Sequence, residues 1–272
     1  MPLCQVIPVP PRQGPTSDAK NRYSSLQTPS SMTKNSLRSA STRSPSLGVT
    51  TLVCTLHSHR TKNIAFVVIS NNNVFSLEQN FFVQHDGYND FSGGIKREYT
   101  KIQDSDLQYL FKSSILAFKE YYNLPDTAMI LLQVQTSSMA PGDLPEDLSE
   151  MSITGQGIHT DGANLAALVC IHRQNVKGAL NTFHGNLHGS QPMCKPTVLE
   201  PGKVAYFKDN SLYHHVSKAV PDDPSSSMTR SILLMHYPAE MYLVGAKNDS
   251  NDQGTHVSAV KMRASCGLHN DG

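Results

Sequence analysis

The sequence has few charges and no excess of either sign. Charged residues make up 17% of its 272 positions, and 23 Lys and Arg stand against 22 Asp and Glu, which gives a formal net charge of +1. Proteins that hold nucleic acid or an anionic membrane surface by general electrostatics carry a basic excess. The balance argues against both classes of partner, so we expect no nucleic acid and no membrane.

Long hydrophobic runs and paired cysteines are also missing. The longest apolar stretches, residues 64–69 and 128–134, have the length of strands and fall short of the roughly 18 residues of a membrane span. The five cysteines are widely spaced and include no Cys-x-x-Cys pair of the kind that binds zinc or exchanges disulfides. We therefore expect a soluble intracellular protein in a reducing compartment, most simply the cytoplasm.

Composition divides the chain into three parts. Residues 1–47 are rich in Ser, Pro and Arg and carry a single acid, Asp18, with too little apolar surface to offset the entropy of ordering. We expect a disordered tail there, and an organelle transit segment is the alternative. Residues 48–244 are predicted to form one domain, and residues 245–272 a flexible C-terminal tail.

Strand patterns dominate the middle part. Short β-branched or aromatic segments between turn residues predict strands at residues 49–56, 64–69, 128–134, 164–171, 204–207, 212–216 and 231–237. One helix is predicted over residues 104–123, where apolar side chains recur every three or four positions. The pattern is typical of a mainly β sandwich or barrel with supporting helices.

A candidate metal site lies just before one of the predicted strands. His159 and Asp161 stand two positions apart in the sequence GIHTDG, residues 157–162. Side chains two apart on an extended segment point to the same side, so this imidazole and carboxylate can reach one metal ion. A second His-x-Asp, which begins at His269, lies in the predicted tail, and we interpret it as a chance match.

Later residues extend this motif. A histidine from the predicted strand 212–216 would complete the two-histidine, one-carboxylate triad of non-haem Fe(II) oxygenases, which leaves metal positions open for a cosubstrate and dioxygen. His214 and His215 are both present, and because adjacent strand residues point to opposite faces, only one of them can face the metal. Arg230, at the start of the last predicted strand, offers a planar fork that suits a carboxylate.

These residues resemble a known family, the 2-oxoglutarate/Fe(II)-dependent dioxygenases that act on free amino acids, among them the bacterial L-isoleucine hydroxylases. The resemblance runs from about residue 82 to residue 237. Its motifs follow in order: GIHTDG (157–162), IHRQNVKGALNTF (171–183), LEPG (199–202), HHVSKAVPDDP (214–224) and TRSILLMHYP (229–238). The resemblance implies a double-stranded β-helix core of the jelly-roll or cupin-like kind, with Fe(II), 2-oxoglutarate and O2.

The resemblance also implies roles for individual residues. His159, Asp161 and His214 match the iron ligands, with His214 preferred over His215 because residues 214–217 match the family pattern His-x-Val-Ser/Thr. Arg230 matches the residue that binds the far carboxylate of 2-oxoglutarate. The implied reaction hydroxylates an aliphatic C–H of a free amino acid or related small molecule and releases succinate and CO2. Related halogenases carry a small residue in place of Asp161, so the carboxylate favours hydroxylation, while desaturation or ring closure stays open.

The sequence departs from the family pattern at positions near the family's substrate pocket. Residues 177–180 read Lys-Gly-Ala-Leu where family members usually carry two glycines and an acid, and residues 133–135 read Gln-Val-Gln where they usually carry an arginine. The segment IKREY, residues 95–99, resembles the family's basic-aromatic strand near the pocket, which makes Arg97 and Tyr99 candidate substrate contacts. From the residues alone, a surface arginine beside a packed tyrosine is the simpler interpretation.

Other functions remain alternatives. One is a catalytically silent, metal-binding double-stranded β-helix protein that acts as a sensor or binding module, although the complete ligand set and Arg230 count against it. Another keeps the dioxygenase chemistry but acts on a side chain of a protein or on nucleic acid. The nucleic-acid version lacks the expected basic patch with interleaved aromatics, so a small-molecule substrate is preferred. The oligomeric state is left open.

The remaining histidines and the central cysteine have ordinary structural interpretations. His184 and His188 stand among glycines and are predicted to lie in an exposed turn, not to form a metal pair. His57 and His59 are predicted to be solvated and to flank a turn that precedes residue 62. Cys170 is predicted to be a small buried apolar residue. No role is assigned to His236.

Overall fold

The computed structural model describes residues 4–8, 59–88, 93–143 and 157–243. Its helical part is α1, which runs through an α-helical turn, Asp104–Asp106, a π-helical turn, Leu107–Phe111, and an α-helix, Lys112–Tyr122. Short 3-10 helices span Asp86–Tyr88 and Glu240–Tyr242. The strands in the described ranges are β1 Cys4–Pro8, β2 His59–Ser70, β3 Asn73–Ser76, β4 Phe81–Phe82, β5 Arg97–Glu98, β6 Thr100–Lys101, β7 Met129–Met139, β8 Leu165–Gln174, β9 Val176–Gly178, β10 Leu180–His184, β11 Thr197–Val198, β12 Lys203–Phe207, β13 Tyr213–Val216, β14 Ala219–Pro221 and β15 Met228–Tyr237.

Two sheets enclose the interior of the domain. The larger sheet has the strand order β1-β12-β8-β15-β7-β2-β3, with β6 added to β2, and the smaller sheet has the order β11-β10-β13. Phe183 of β10 packs between the sheets against Leu168 of β8 and Leu234 of β15, in one buried apolar cluster. The architecture confirms the predicted mainly β, jelly-roll type of core. Among the described residues, no helix combines the length and the apolar character needed to cross a membrane.

Helix α1 covers the outer face of the larger sheet. Ile115 and Phe118 are fully buried in the same cluster as Leu233 and Met235 of β15. Because strand side chains alternate, the residues between these two on β15 face the interior instead. Burial of this apolar helix face holds the sheet rigid behind the site.

The strongest sequence patterns predict the right elements, but several strands are longer than predicted. β7 continues to Met139 through polar residues, because it pairs on one side with β2 and on the other with β15 along nearly its whole length. The turn expected near His59 is absent, since that residue lies within β2 and pairs with β7. No sequence pattern indicates the short strand β11 of the smaller sheet, or β9 and β14, which pair with each other in a separate two-stranded sheet. The predicted strand 49–56 and His57 lie outside the described residues.

One segment of the predicted N-terminal tail is part of the sheet. Cys4–Pro8 forms β1 and pairs in antiparallel register with Lys203–Phe207, so the prediction of a disordered tail is wrong for these five residues. Without β1, the backbone groups of β12 would form an exposed edge, and pairing satisfies them. Ile7 packs on the large apolar cluster, which adds burial to the pairing. Residues 9–47 and 245–272 lie outside the described residues.

The packing of α1 predicts a large loss of stability on truncation of its central aromatic residue. Phe118 is 0% exposed, and its ring lies 5.1 Å from that of Tyr122 and 6.4 Å from that of Tyr206. We expect Phe118→Ala to lower the free energy of unfolding by about 3–5 kcal/mol, because it leaves a cavity. Tyr109, on the same helix but 80% exposed, gives the control Tyr109→Ala, with a change under about 0.5 kcal/mol. Urea unfolding of both variants checks this, and equal losses would contradict it.

Candidate metal centre

Two histidines are held side by side by a backbone bridge. The N–H of His159 donates to the carbonyl of His214 at 3.0 Å, and the N–H of His214 donates back at 2.7 Å. Residues that exchange both hydrogen bonds in an antiparallel pair project their side chains to the same face. The two imidazole centroids are accordingly 4.3 Å apart. The segment that carries His159 thus acts as a one-residue extension of the smaller sheet beside β13.

Asp161 completes a cluster of three ligand atoms. Its Oδ1 lies 3.9 Å from Nε2 of His159, and its Oδ2 lies 3.5 Å from Nε2 of His214. One ligand atom from each residue lies within 4.8 Å of the others. The structure therefore brings together the three predicted ligands. His215 is the next residue on β13 and is not part of the cluster.

The protonation and hydrogen bonding of the two imidazoles suit a metal ion. The His159 Nδ1–H donates to the carbonyl of Gly157 at 2.9 Å, which leaves Nε2 with its lone pair facing the cluster. Nε2 of His214 is buried and lacks a hydrogen-bond partner among the described residues, a costly state that a metal would relieve. Burial, reinforced by the neighbouring His159, lowers the pKa of His214 to about 3, so the ring is neutral as a ligand must be. Two imidazoles and a carboxylate fit a divalent iron-type ion.

Asp161 is oriented by three side chains around it. Oδ2 of Asp161 lies 3.1 Å from Nε2 of His236, whose Nδ1 lies 3.3 Å from the Gln133 amide nitrogen. Because that amide only donates, Nδ1 accepts and the His236 Nε2–H donates to the carboxylate. Tyr242 and Gln84 donate to the backbone carbonyl of Asp161 at 3.3 and 3.1 Å. Burial raises the pKa of Asp161, but the His236 hydrogen bond and the nearby imidazoles outweigh it and hold that pKa well below the usual value.

A second carboxylate anchors the segment between the ligands. Asp209 is fully buried and accepts hydrogen bonds from the Thr160 hydroxyl at 3.0 Å and from the N–H groups of Asp161 and Ala163 at 3.3 and 2.9 Å. Burial, with the charge of Asp161, raises the pKa of Asp209 to about 6. Its Oδ1 also lies 3.6 Å from Nε2 of His214. Asp209 therefore ties the loop that carries the carboxylate ligand to the strand that carries the second histidine.

The residue after Asp161 has to be glycine. Gly162 has a φ of +89°, a conformation that L side chains rarely adopt. A Cβ placed there would lie 2.3 Å from the ring of Tyr88. The chain thus turns sharply after Asp161 and passes directly beneath an aromatic ring.

Arg230 lies on the inner face of the larger sheet, the face that also carries His236. It is 3% exposed and stands opposite Ser137 of β7, six residues before His236 on β15, and an even spacing keeps both side chains on one face. Nε of Arg230 is buried without a hydrogen-bond partner, and no carboxylate among the described residues pairs with the guanidinium. Burial lowers the pKa of Arg230 to about 10, which leaves it cationic. The position suits an anionic ligand.

The two candidate substrate contacts also lie inside the domain. Arg97 is 8% exposed, so its interpretation as a surface residue is wrong, because β5 pairs with β4 and places Cζ of Arg97 4.6 Å from the ring centre of its partner Phe82. Arg97 donates to the Gln84 amide oxygen at 3.1 Å. Tyr99 stacks on Phe82 with the ring centroids 5.3 Å apart.

Of the predictions for the other histidines and the central cysteine, some are confirmed and one is wrong. His188 lies in an exposed turn as predicted, but His184 belongs to β10, because that strand continues to pair with β13 as far as Tyr213. Its Nε2 lies 3.1 Å from the Thr182 hydroxyl. Cys170 is 1% exposed within the inner apolar cluster, which confirms its prediction, and burial raises the pKa of its thiol to about 11.

Sequence reasoning missed two residues of the site, His236 and Asp209. His236 carries a usable signal, since its even spacing from Arg230 on one predicted strand puts both on the same face. Asp209 carries none, because it stands in a predicted turn, where an aspartate is ordinary. Only the fold brings its carboxylate to the backbone of residues 161–163.

Comparisons with known proteins agree with this geometry. The family model described as 2OG-Fe dioxygenase matches residues 54–236. A bsmA homolog from Methylobium petroleophilum is 19% identical, with a TM-score of 0.50 over 66% of this chain and 71% of that one. IDO from Bacillus thuringiensis is 15% identical, with a TM-score of 0.48 over 66% and 77%. At 19% identity, the likeness to the bsmA homolog concerns the fold alone. No curated protein matches the sequence significantly.

The hydrogen bond to Asp161 predicts that His236 supports metal binding. We expect His236→Leu to weaken binding of Fe(II) by about 10- to 100-fold, because the carboxylate loses the donor that orients it. His236→Gln keeps an N–H donor and should recover part of that loss. Anaerobic titration calorimetry with Fe(II) measures both. His188→Ala, in the exposed turn, serves as the control, and wild-type affinity in His236→Leu would refute the assignment.

Proposed function

Because the chain belongs to the 2OG-Fe dioxygenase family, we propose that it hydroxylates an aliphatic C–H of a free amino acid or a close small-molecule relative. The reaction would oxidise 2-oxoglutarate to succinate and CO2, with one oxygen atom of O2 in the new hydroxyl group and the other in succinate. The observation that carries the proposal is the cluster of His159, Asp161 and His214. Buried Arg230, whose Nε has no hydrogen-bond partner among the described residues, lies on the face of β15 that also carries His236, the hydrogen-bond partner of Asp161.

Each of these residues has a defined task in the proposal. His159, Asp161 and His214 would hold Fe(II), with His236 and Asp209 as positioning residues that set the carboxylate and its loop. An iron ion held there supplies the dioxygen activation that couples oxidation of 2-oxoglutarate to oxidation of the substrate. Arg230 would bind the C5 carboxylate of 2-oxoglutarate through charge-assisted hydrogen bonds. The protein's own contribution is to place the substrate C–H beside the metal and keep water out.

Hydroxylation of a small molecule is favoured over the alternatives by two features. A carboxylate ligand, Asp161, occupies the place that the related halogenases leave to a small residue. Two buried rings, Phe82 and Tyr242, also pack edge to face at 6.0 Å beside the cluster, where they offer an apolar contact to a small substrate. Arg97 and Tyr99 of the β4–β5 hairpin are the proposed substrate contacts.

Formation of succinate tests the proposed reaction. Protein loaded anaerobically with Fe(II) and 2-oxoglutarate is exposed to air in the presence of each common L-amino acid. We expect succinate to exceed the level without amino acid for one or a few of them, with a product heavier by one oxygen atom. Asp161→Ala should lose this turnover because it loses a metal ligand. Protein that binds Fe(II) and 2-oxoglutarate yet turns over none of the amino acids or their N-acyl derivatives would favour a silent binding module.

The role of Arg230 predicts a specific kinetic defect. We expect Arg230→Met to raise the KM for 2-oxoglutarate by about 10- to 100-fold, because it removes charge-assisted hydrogen bonds to one carboxylate. Arg230→Lys should lie between this variant and the wild type. Arg173 lies opposite Arg230 on β8 but donates to the carbonyls of Val176 and Gly178, so Arg173→Met is the matched control with an unchanged KM. Unaltered dependence on 2-oxoglutarate in Arg230→Met would overturn the assignment.

A further inference from the structure

Besides Arg230, two basic side chains, Lys62 and Arg97, lie close to the ring of Phe82. Lys62 of β2 stands opposite Gln135, so it faces inward from the floor of the site. Its Nζ lies 5.4 Å from the ring centre of Phe82 and 5.5 Å from that of Tyr99. Cζ of Arg97, which comes from the covering hairpin, lies 4.6 Å from the same Phe82 ring. Two basic side chains from different elements therefore meet at one ring.

Neither of these basic side chains forms a direct ion pair with a carboxylate among the described residues. Lys62 makes no hydrogen bond or ion pair with the described residues, and Nε of Arg97 is buried without a hydrogen-bond partner. Burial, with the nearby charges of Arg60 and Arg97, outweighs the opposing charge of Asp161 and lowers the pKa of Lys62 well below its usual value, so a bound anion would favour the charged form of this lysine. Keeping two like charges inside a protein is costly unless an anion joins them. The contacts with Phe82 and Tyr99 offset only part of that cost.

The pair is connected to the metal-binding cluster. Arg97 donates to Gln84 at 3.1 Å, and the Gln84 amide nitrogen lies 3.4 Å from Oδ1 of Asp161. A single side chain thus separates Arg97 from a proposed iron ligand. A ligand held by Arg97 and Lys62 would have the rest of its structure beside the reacting position.

The pair is separate from the proposed site for 2-oxoglutarate. Lys62 and Arg230 lie on strands that flank β7, where they stand opposite Gln135 and Ser137. Two strand spacings and a two-residue step put their Cα atoms about 12 Å apart. A 2-oxoglutarate molecule bound at Arg230 therefore does not occupy the position beside Lys62, and another ligand can bind there.

We infer that the substrate of the proposed reaction is an organic anion whose carboxylate binds between Lys62 and Arg97, beside the stacked rings of Phe82 and Tyr99. The inference rests on the proposed function and adds Lys62 as a residue that determines specificity. A compact ammonium and a planar guanidinium suit the two oxygens of a carboxylate, and the stacked rings suit an apolar remainder. Loss of the substrate's negative charge would therefore remove most of its binding.

Equilibrium binding to protein that cannot turn over tests the inference. Under strictly anaerobic conditions, protein with Fe(II) and saturating 2-oxoglutarate is titrated calorimetrically with the common L-amino acids, their N-acetyl derivatives and simple carboxylates. Each acid is paired with its carboxamide. We expect the acids that bind to do so at least tenfold more tightly than their carboxamides. Lys62→Met should remove at least tenfold of that affinity, and Lys62→Arg should retain it.

A neighbouring lysine provides the matched control. Lys96 precedes Arg97, lies 4.1 Å from the Phe81 ring centre and pairs with Glu98 at 3.0 Å, with its side chain 47% exposed. Lys96→Met should bind the acids like the wild type. Equal binding of acids and carboxamides, equal binding by Lys62→Met and wild type, or no binding by any carboxylate would each overturn the inference.

The same samples separate this inference from the proposed reaction. The visible charge-transfer absorbance of 2-oxoglutarate with Fe(II) reports loading of the proposed metal centre before any titration. Loss of the carboxylate preference in Lys62→Met with this absorbance intact supports the inference, and the N-acetyl derivatives show whether a free amino group is also required. Carboxylate binding that depends on Lys62, in protein that never shows the absorbance or forms succinate, would refute the proposed reaction and leave an anion-binding site.

Discussion

The site depends on one antiparallel backbone bridge between two short segments. Mutual hydrogen bonds of 3.0 and 2.7 Å hold His159 against His214, although the two residues are far apart in the chain. Backbone pairing fixes the direction of both side chains without any contribution from the imidazoles themselves. Asp209 then ties the loop after His159 to the same place. The two histidines are therefore positioned before a metal binds, which lowers the cost of binding it.

The inner face of the large sheet is divided into an apolar and a polar half. On the side of β8 and β12 it carries Ala166, Leu168, Cys170, Ala205 and Phe207, which pack against the smaller sheet. On the side of β7 and β2 it carries Gln133, Gln135, Ser137 and Lys62. Burial of the apolar half holds the two sheets together. The polar half provides buried hydrogen-bond donors that a ligand can use. Arg230 stands on β15, where the two halves meet.

Buried polar groups in the second half are mostly satisfied by each other, and the exceptions are informative. Gln84, Gln133 and His236 form hydrogen bonds that end on Asp161. Five buried side-chain nitrogens have no hydrogen-bond partner among the described residues: Nε of Arg97, Nη1 of Arg173, Nδ1 of His184, Nε2 of His214 and Nε of Arg230. Unsatisfied buried groups are rare in proteins, and a bound ligand is one way to satisfy them. Those of His214, Arg97 and Arg230 lie at the proposed metal, substrate and 2-oxoglutarate sites.

Local pattern alone identified the elements and the ligand types, and tertiary contacts decided which residues support them. The periodicity of α1 and the alternation of the central strands are properties of consecutive residues, so helix, strands and the spacing of His159 and Asp161 could be predicted. The choice of His214 required a family pattern, because alternation only separates it from His215. The burial of Arg97, the β1 pairing and the anchoring by Asp209 depend on residues far away in the chain. Long-range pairing leaves no trace in local spacing, and this is why only the folded structure revealed them.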